Sequence, residues 1–307
     1  MNRRSFILGA MLAPPRCSMG IASTCYPRNR QLTEPFALLA HAADLGAGVI
    51  QAALPADPAH FRAECERRGM YYEAMIGLRQ ASDESVLKRA LDAGALCARV
   101  ACLAGRRYET FDSLEAWHQW VRDTKVSLAG AVKAAERVRL PLAVENHKDW
   151  TAEELPALLK SYSSEYLAVC LDTGNNIALL DDPYEAIDAL APYAISVHFK
   201  DVGVASHHDG FLLAEVPLGE GMLDLARIVK TIRRARFNLE MLTREPLVVP
   251  CLTEKYWATF ENRAPQRLAH ALRLVRDHDM PLDHPTLPQE EENVRKCLHV
   301  ARERLGL

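Results

Sequence analysis

Leu142-Ala143-Val144-Glu145-Asn146-His147 is a short apolar run that leads into a metal-competent side chain, Glu145, and runs that end on an acid or a histidine return three times downstream. The later copies are Leu167-Ala168-Val169-Cys170-Leu171-Asp172, Ala194-Ile195-Ser196-Val197-His198 and Phe237-Asn238-Leu239-Glu240. Short apolar runs bounded by polar turns read as buried β-strands. A chemically competent side chain at the C-terminal end of successive strands is the signature of an α/β barrel, whose βα loops share one active-site mouth.

Upstream of Leu142 lie four more strand candidates, Met19 to Ser23, Gly48 to Ala53, Tyr71 to Ile76 and Ala98 to Cys102. Helical patterns fall between the strands, among them Pro35 to Leu45, Pro58 to Arg68, Asp83 to Ala93, Leu114 to Val138, Ala152 to Ser161, Tyr184 to Leu190 and Leu223 to Arg236. Strict alternation of eight strands with helices predicts a closed (β/α)8 TIM barrel rather than an open sheet. The barrel is expected over about residues 19–242. A C-terminal extension, 243–307, carries two helical stretches, Ala264 to Asp277 and Gln289 to Leu305, expected to lie on the barrel or on a neighbouring copy. With no short repeat and no low-complexity linker, residues 19–307 read as a single domain.

Composition narrows the partners. The chain has 307 residues, 49% hydrophobic and 25% charged, with a net charge of -3, and can bury a large core. That charge supplies no bulk positive field for nucleic acid, so no nucleic-acid partner is expected. The eight cysteines are scattered without a CxxC pair and read as free thiols. The first residues, Asn2-Arg3-Arg4-Ser5-Phe6-Ile7-Leu8, followed by the short apolar stretch Gly9 to Ala13, read as a twin-arginine-type leader over residues 1–18. That reading implies periplasmic export; otherwise the stretch is a basic tail on a cytoplasmic protein. No segment beyond it is apolar for long enough to span a membrane.

A lone acid after a strand is usually a helix cap, and a lone histidine is usually structural. The four strand-end residues Glu145, Asp172, His198 and Glu240 carry weight as a set. Consecutive barrel strands aim them at one point, where three carboxylates repel one another unless a cation lies between them. An oxygen-rich site with one imidazole suits a single divalent ion, Mn²⁺ best, with Mg²⁺, Co²⁺ or Zn²⁺ as alternatives.

At these residues the chain resembles the xylose isomerase-like TIM-barrel superfamily, and within it the sugar phosphate isomerase/epimerase group. The matching passages are Val144-Glu145-Asn146-His147, Leu171-Asp172-Thr173-Gly174-Asn175, Val197-His198-Phe199-Lys200-Asp201, Val216-Pro217-Leu218-Gly219-Glu220-Gly221 and Glu240. The resemblance implies that Glu145, Asp172, His198 and Glu240 hold one divalent metal, and that Glu145 and Glu240 exchange protons with the substrate. Elementary chemistry agrees, because a metal-polarised carbonyl acidifies the neighbouring C–H, and two carboxylates flanking the resulting plane can invert a stereocentre. The chain departs from the ketose 3-epimerase branch in two places. Asn175 stands where that branch has a substrate-contacting His, and Val204 where it has an Arg.

Four further residues are candidate substrate contacts. His147 and Lys200 each follow a metal candidate by two residues and so share its side of an extended strand. Asn175 can orient a hydroxyl through its amide. Trp150 offers an apolar platform for a sugar ring, although packing is the commoner fate of a tryptophan. His207-His208-Asp209 reads as a polar loop, Glu220 as part of a turn ordering the mouth, Lys255-Tyr256-Trp257 as core packing, and Glu245 as a weaker competitor to Glu240. The sequence thus points to a metal-dependent sugar isomerase or epimerase working through an enediolate on a small-molecule sugar or polyol. A dehydratase with the same metal site and a non-catalytic sugar-binding barrel stand as alternatives. An apurinic-site endonuclease is disfavoured, since Gly174 and Asn175 stand where a ligand His is needed. A homo-oligomer is an expectation from the resemblance.

Overall fold

The computed structural model describes residues 19–232, 234–282 and 287–307; the leader read in residues 1–18 lies outside them. In chain order the elements are β1 (Gly20–Ala22), α1 (Pro35–Asp44), β2 (Val49–Ala52), α2 (Pro58–Arg68), β3 (Tyr71–Gly77), α3 (Leu78–Ala81), α4 (Glu84–Asp92) and β4 (Ala95–Ala101). Then come α5 (Arg107–Thr110), α6 (Leu114–Val138), β5 (Leu142–Glu145), α7 (Glu154–Lys160), β6 (Leu167–Asp172), α8 (Pro183–Leu190) and β7 (Ala194–Phe199). The remainder is β8 (Asp201–His207), β9 (Gly210–Val216), α9 (Leu225–Thr231), β10 (Arg236–Leu239), β11 (Leu247–Val249), α10 (Glu254–Trp257), α11 (Pro265–Asp277) and α12 (Leu287–Val300).

Eight parallel strands close into a barrel in the order β1-β10-β7-β6-β5-β4-β3-β2. This is the (β/α)8 fold that the alternation predicts. Local chemistry explains why the helices stop where they do. In α2, Asp57 accepts the His60 N–H at 3.0 Å, Pro58 supplies the preset first turn, and Gly69 ends the helix at φ +64°. In α6, Ser113 caps the start and one face buries Trp117, Leu128, Ala131 and Ala135 against the barrel. The outer core between strands and helices is apolar, with Leu38, Phe61, Leu87, Leu128 and Leu155 fully buried. Each side chain of that size contributes about 1.5–3 kcal/mol on burial.

Two features differ from the sequence reading. The stretch after β7, read as a polar loop, is an antiparallel hairpin of β8 and β9 that β11 extends to three strands. His207 therefore ends β8, and His208 and Asp209 form the hairpin's turn, His208 exposed and Asp209 partly buried. Helix α9 is also shorter than the predicted Leu223 to Arg236. Asp224 caps it by accepting the Arg227 N–H, and Arg236 already belongs to β10.

The C-terminal extension packs on the barrel. Helix α11 lies against β8 and β9, and the Glu290 carboxylate on α12 accepts the backbone N–H groups of Arg28 and Asn29 at 2.7 and 3.2 Å. Among the described residues no helix is long and apolar enough to cross a membrane.

Candidate active site

Register brings the strand-end residues to one level. Asp172 pairs directly with His198, and Glu145 pairs with Cys170, two residues before Asp172 on the same face of β6. Glu240 lies one residue past β10, where its N–H donates to the Phe199 carbonyl at 3.0 Å and continues the ladder. All four are buried, and one donor atom from each lies within 4.8 Å of the others.

The backbone and neighbours fix these donors. Asp172 Oδ1 accepts the Gly174 and Asn175 N–H groups, each at 2.8 Å. Thr24 Oγ1 donates to Glu240 Oε1 at 3.0 Å. His198 Nδ1 lies 3.3 Å from Glu145 Oε1 and 3.2 Å from Glu240 Oε1, while its Nε2 meets Gln51 Oε1 at 2.5 Å. Gln51 donates its own Nε2 to Glu73 at 3.0 Å, so its oxygen must face His198, and the proton of that contact belongs to His198 Nε2. Nδ1 is then the nitrogen that faces the acids: protonated it pairs with them, and on losing that proton it offers its lone pair to a metal.

Protein cations share the site. Lys200 Nζ sits 2.8 Å from Asp172 Oδ2, 2.6 Å from Glu240 Oε2 and 3.6 Å from Glu215, and Arg99 pairs with Glu145 Oε2. Arg244 pairs with Glu215 at 2.7 Å, and Lys148 donates to Asn175, whose amide reaches Glu145 Oε1 at 3.2 Å. The case for a metal therefore rests on converging lone pairs rather than on uncompensated repulsion. His198 Nδ1 is buried without a hydrogen-bond partner among the described residues, while the buried Glu145 Oε2 and Asp172 Oδ2 are met by the Arg99 and Lys200 charges. Hard oxygen donors and one imidazole, one donor atom of each within 4.8 Å of the others, fit a divalent cation.

The charges set the titration. Burial raises the Glu145 carboxyl, but Arg99 and then His198 outweigh it and hold the group well below the carboxylate range. Burial likewise opposes the Glu240 charge and is overcome by His198 and Lys200. For Asp172 burial wins over Lys200 and pushes the pKa up to about 6. Burial, and then the neighbouring Lys200 charge, pulls Lys148 down to about 8.

Of the substrate-contact candidates, Lys200 and Asn175 join the four-residue cluster, as the contacts above show. His147 lines a cleft beside it. Trp150 is placed elsewhere: it is 4% exposed and packs against Trp117 and Trp120 at ring distances of 5.4 and 5.2 Å, so it is a packing residue rather than a platform. Glu220 and Glu245 are exposed and outside the cluster, and Tyr256 and Trp257 lie in the core. Asp201 orders the loop after β9 by accepting the N–H groups of Gly219, Gly221 and Leu223. A side chain at Gly221 would collide with that carboxylate and with the Val202 carbonyl.

Sequence reasoning missed Arg99, Lys148, Gln51, Glu215 and Arg244. A signal existed for Arg99, Gln51 and Glu73, since each is a charged or amide residue inside an otherwise apolar strand. For Glu215 the signal was lost with the unrecognised hairpin.

Comparison with known proteins gives a consistent picture. Residues 39–248 match the family described as xylose isomerase-like TIM barrel. The chain is 27% identical over 217 residues to a protein of Pectobacterium atrosepticum described as 3-oxo-isoapionate decarboxylase, covering 67% of this chain and 75% of that one. Among solved structures, an L-ribulose 3-epimerase superposes with a TM-score of 0.55 at 17% identity, covering 94% of this chain and 99% of the epimerase. A xylose isomerase-like TIM-barrel protein from Mycobacterium smegmatis, solved with magnesium, gives 0.52 at 16% identity, covering 85% of this chain and all of the other.

Proposed function

The chain belongs to the xylose isomerase-like TIM-barrel family, and from that membership we propose that it is a divalent-metal-dependent isomerase or epimerase acting on a sugar or sugar derivative through an enediolate. The observation that carries this reading is the meeting of Glu145, Asp172, His198 and Glu240, one donor atom of each within 4.8 Å of the others, at the barrel mouth. Mn²⁺ is the ion that best suits three carboxylates and one imidazole. When bound, such an ion supplies the Lewis acidity that polarises a carbonyl and offsets the charge developing on its oxygen.

The protein's own groups do the rest. Glu145 and Glu240 approach the cluster from non-adjacent strands, so one can take a proton from a carbon and the other return one from the opposite side. Proton transfer by a single glutamate between adjacent carbons gives isomerisation instead. Lys200, already against Asp172 and Glu240, is placed to hold a substrate oxygen as charge grows on it. Asn175, fixed by Lys148, orients a hydroxyl.

A lyase reading has a specific observation behind it, the relative described as a decarboxylase. Loss of carbon dioxide from a 3-keto acid leaves the same negative charge on the same oxygen, and a protonated glutamate then returns a proton to carbon; loss of water starts by proton abstraction, one glutamate taking the proton from carbon and passing it to the departing hydroxyl. The test is incubation of the Mn²⁺-loaded protein with a panel of ketoses and keto-polyols in deuterated water. Deuterium incorporated at carbon without loss of mass supports the isomerase or epimerase. Release of carbon dioxide or water supports the lyase, and ligand binding without either leaves a sugar-binding barrel.

A further inference from the structure

We infer that the cleft beside the four donors receives the carboxylate end of a sugar acid, with Arg99 and His147 as its binding residues. This rests on the proposed metal-dependent reading and adds the charge of the substrate to it. The cleft, about 330 Å³ in volume, opens over the ends of β3 and β4 next to Glu145. That is the lower end of the range for small-molecule sites. Its walls are largely apolar, with Met75, Ile76, Ala101 and Ala104; Gln80 adds an amide, and Arg99 and His147 are its basic side chains.

Arg99 is the wall that the cleft shares with the metal cluster. One end of its guanidinium pairs with Glu145, while its Nε is buried without a hydrogen-bond partner; its side chain is only 13% exposed. His147 Nδ1 is buried and unpartnered in the same way. Leaving such groups buried and unsatisfied is unfavourable, and a ligand acceptor removes that penalty.

Charge points the same way. Around the site the carboxylates of Glu145, Asp172, Glu215 and Glu240 are matched by the cations Arg99, Lys148, Lys200 and Arg244. The walls alone balance, so a bound divalent ion leaves two positive charges in excess. A sugar acid meets one with its carboxylate and the other with the negative charge that grows on its carbonyl oxygen during reaction. A neutral sugar leaves one uncompensated throughout. One guanidinium and one imidazole among apolar walls match the flat, singly charged carboxylate, whose two oxygens accept the Arg fork, rather than the doubly charged phosphate.

The test is calorimetric titration of the Mn²⁺-loaded protein with gluconate, its neutral counterpart glucitol, and glucitol 6-phosphate, with Mn²⁺ affinity measured on every sample. The expected result is gluconate binding at least about tenfold more tightly than glucitol, with parity in Arg99→Gln and a smaller preference in His147→Phe. Arg99 touches Glu145, so if Arg99→Gln loses the ion or its fold, His147→Phe, which leaves that ion pair in place, decides. Failure of the wild type to take up Mn²⁺ counts against the metal reading alone, provided the metal-free protein still prefers gluconate and Arg99→Gln abolishes that preference. Equal binding of gluconate and glucitol, no gluconate binding, tighter binding of glucitol 6-phosphate, or a preference untouched by both variants overturns the inference.

Discussion

Two buried acidic clusters share the inside of this barrel, and they are built to opposite rules. In the one centred on Glu73, the acid accepts from Arg236 Nε at 2.5 Å, Gln51 Nε2 at 3.0 Å, Ser196 Oγ at 2.5 Å and Asn238 Nδ2 at 2.9 Å. Among the described residues, only Asn238 Oδ1 lacks a partner there. In the one centred on Glu145, Asp172, His198 and Glu240, three acids crowd one imidazole, Glu145 Oε2 and Asp172 Oδ2 are met by the Arg99 and Lys200 charges, and His198 Nδ1 has no hydrogen-bond partner among the described residues. A buried charge persists only when it is paired and hydrogen-bonded. The Glu73 cluster meets that condition within the protein, which marks it as a structural device. The other meets it incompletely, which marks it as a site. Gln51 joins them, holding Glu73 with its nitrogen and His198 with its oxygen.

Breaking the satisfied cluster has the largest effect. Glu73→Ala strands Arg236 in the barrel and is expected to cost about 3–5 kcal/mol of stability, read from urea unfolding. Loss of well under 1 kcal/mol would erase the distinction between the two regions.

The unsatisfied cluster is sharpened by pH. The folded pKa of Asp172, raised to about 6, lies above its unfolded value, so its contribution is fully present below about pH 4 and is lost as pH rises through 6. Chelator-treated protein should therefore lose up to roughly 3 kcal/mol across that window, and Asp172→Asn should flatten the profile there. The depressed acids Glu145 and Glu240 act only below their unfolded range, at lower pH. Unfolding curves of both proteins over pH 4–7 check this, and identical profiles would contradict it.

Much of this architecture is legible in the chain, and the exceptions have physical causes. The barrel strands are short apolar runs, and the period of that signal is local, so the eight strands and the four strand-end donors could be placed from sequence. The hairpin of β8 and β9 escaped because Val202, Val204, Phe211 and Leu213 bury against helices and β11 outside the barrel, in a place where a βα loop is expected. Asp209-Gly210 was the missed turn signal; a side chain at Gly210, which has φ +151°, would collide with the Val249 carbonyl. The counter-charges were beyond reach for a different reason. Arg99 and Glu145 are on neighbouring strands, but nothing in either stretch says that one side chain crosses to the other. Trp150 shows the reverse, since its partners Trp117 and Trp120 lie on α6, far away in sequence.

A smaller effect tests the link between the regions. Gln51→Met frees the His198 ring and is expected to weaken divalent-metal affinity by about 10–100-fold while unfolding changes less than in Glu73→Ala. The smallest is Thr24→Val, which removes one hydrogen bond to Glu240 and should cost about 1 kcal/mol, seen as a modest loss of metal affinity.

The central claim is that the Glu145, Asp172, His198 and Glu240 cluster is a divalent-metal site and the Glu73 cluster is not. Titration of the metal-free protein with Mn²⁺, following the free ion by electron paramagnetic resonance, tests it directly. The account predicts one ion bound per chain, lost in Glu240→Gln and Asp172→Asn and retained in Ser196→Ala. A wild type that binds no ion, or an ion held equally well by all three variants, would contradict it.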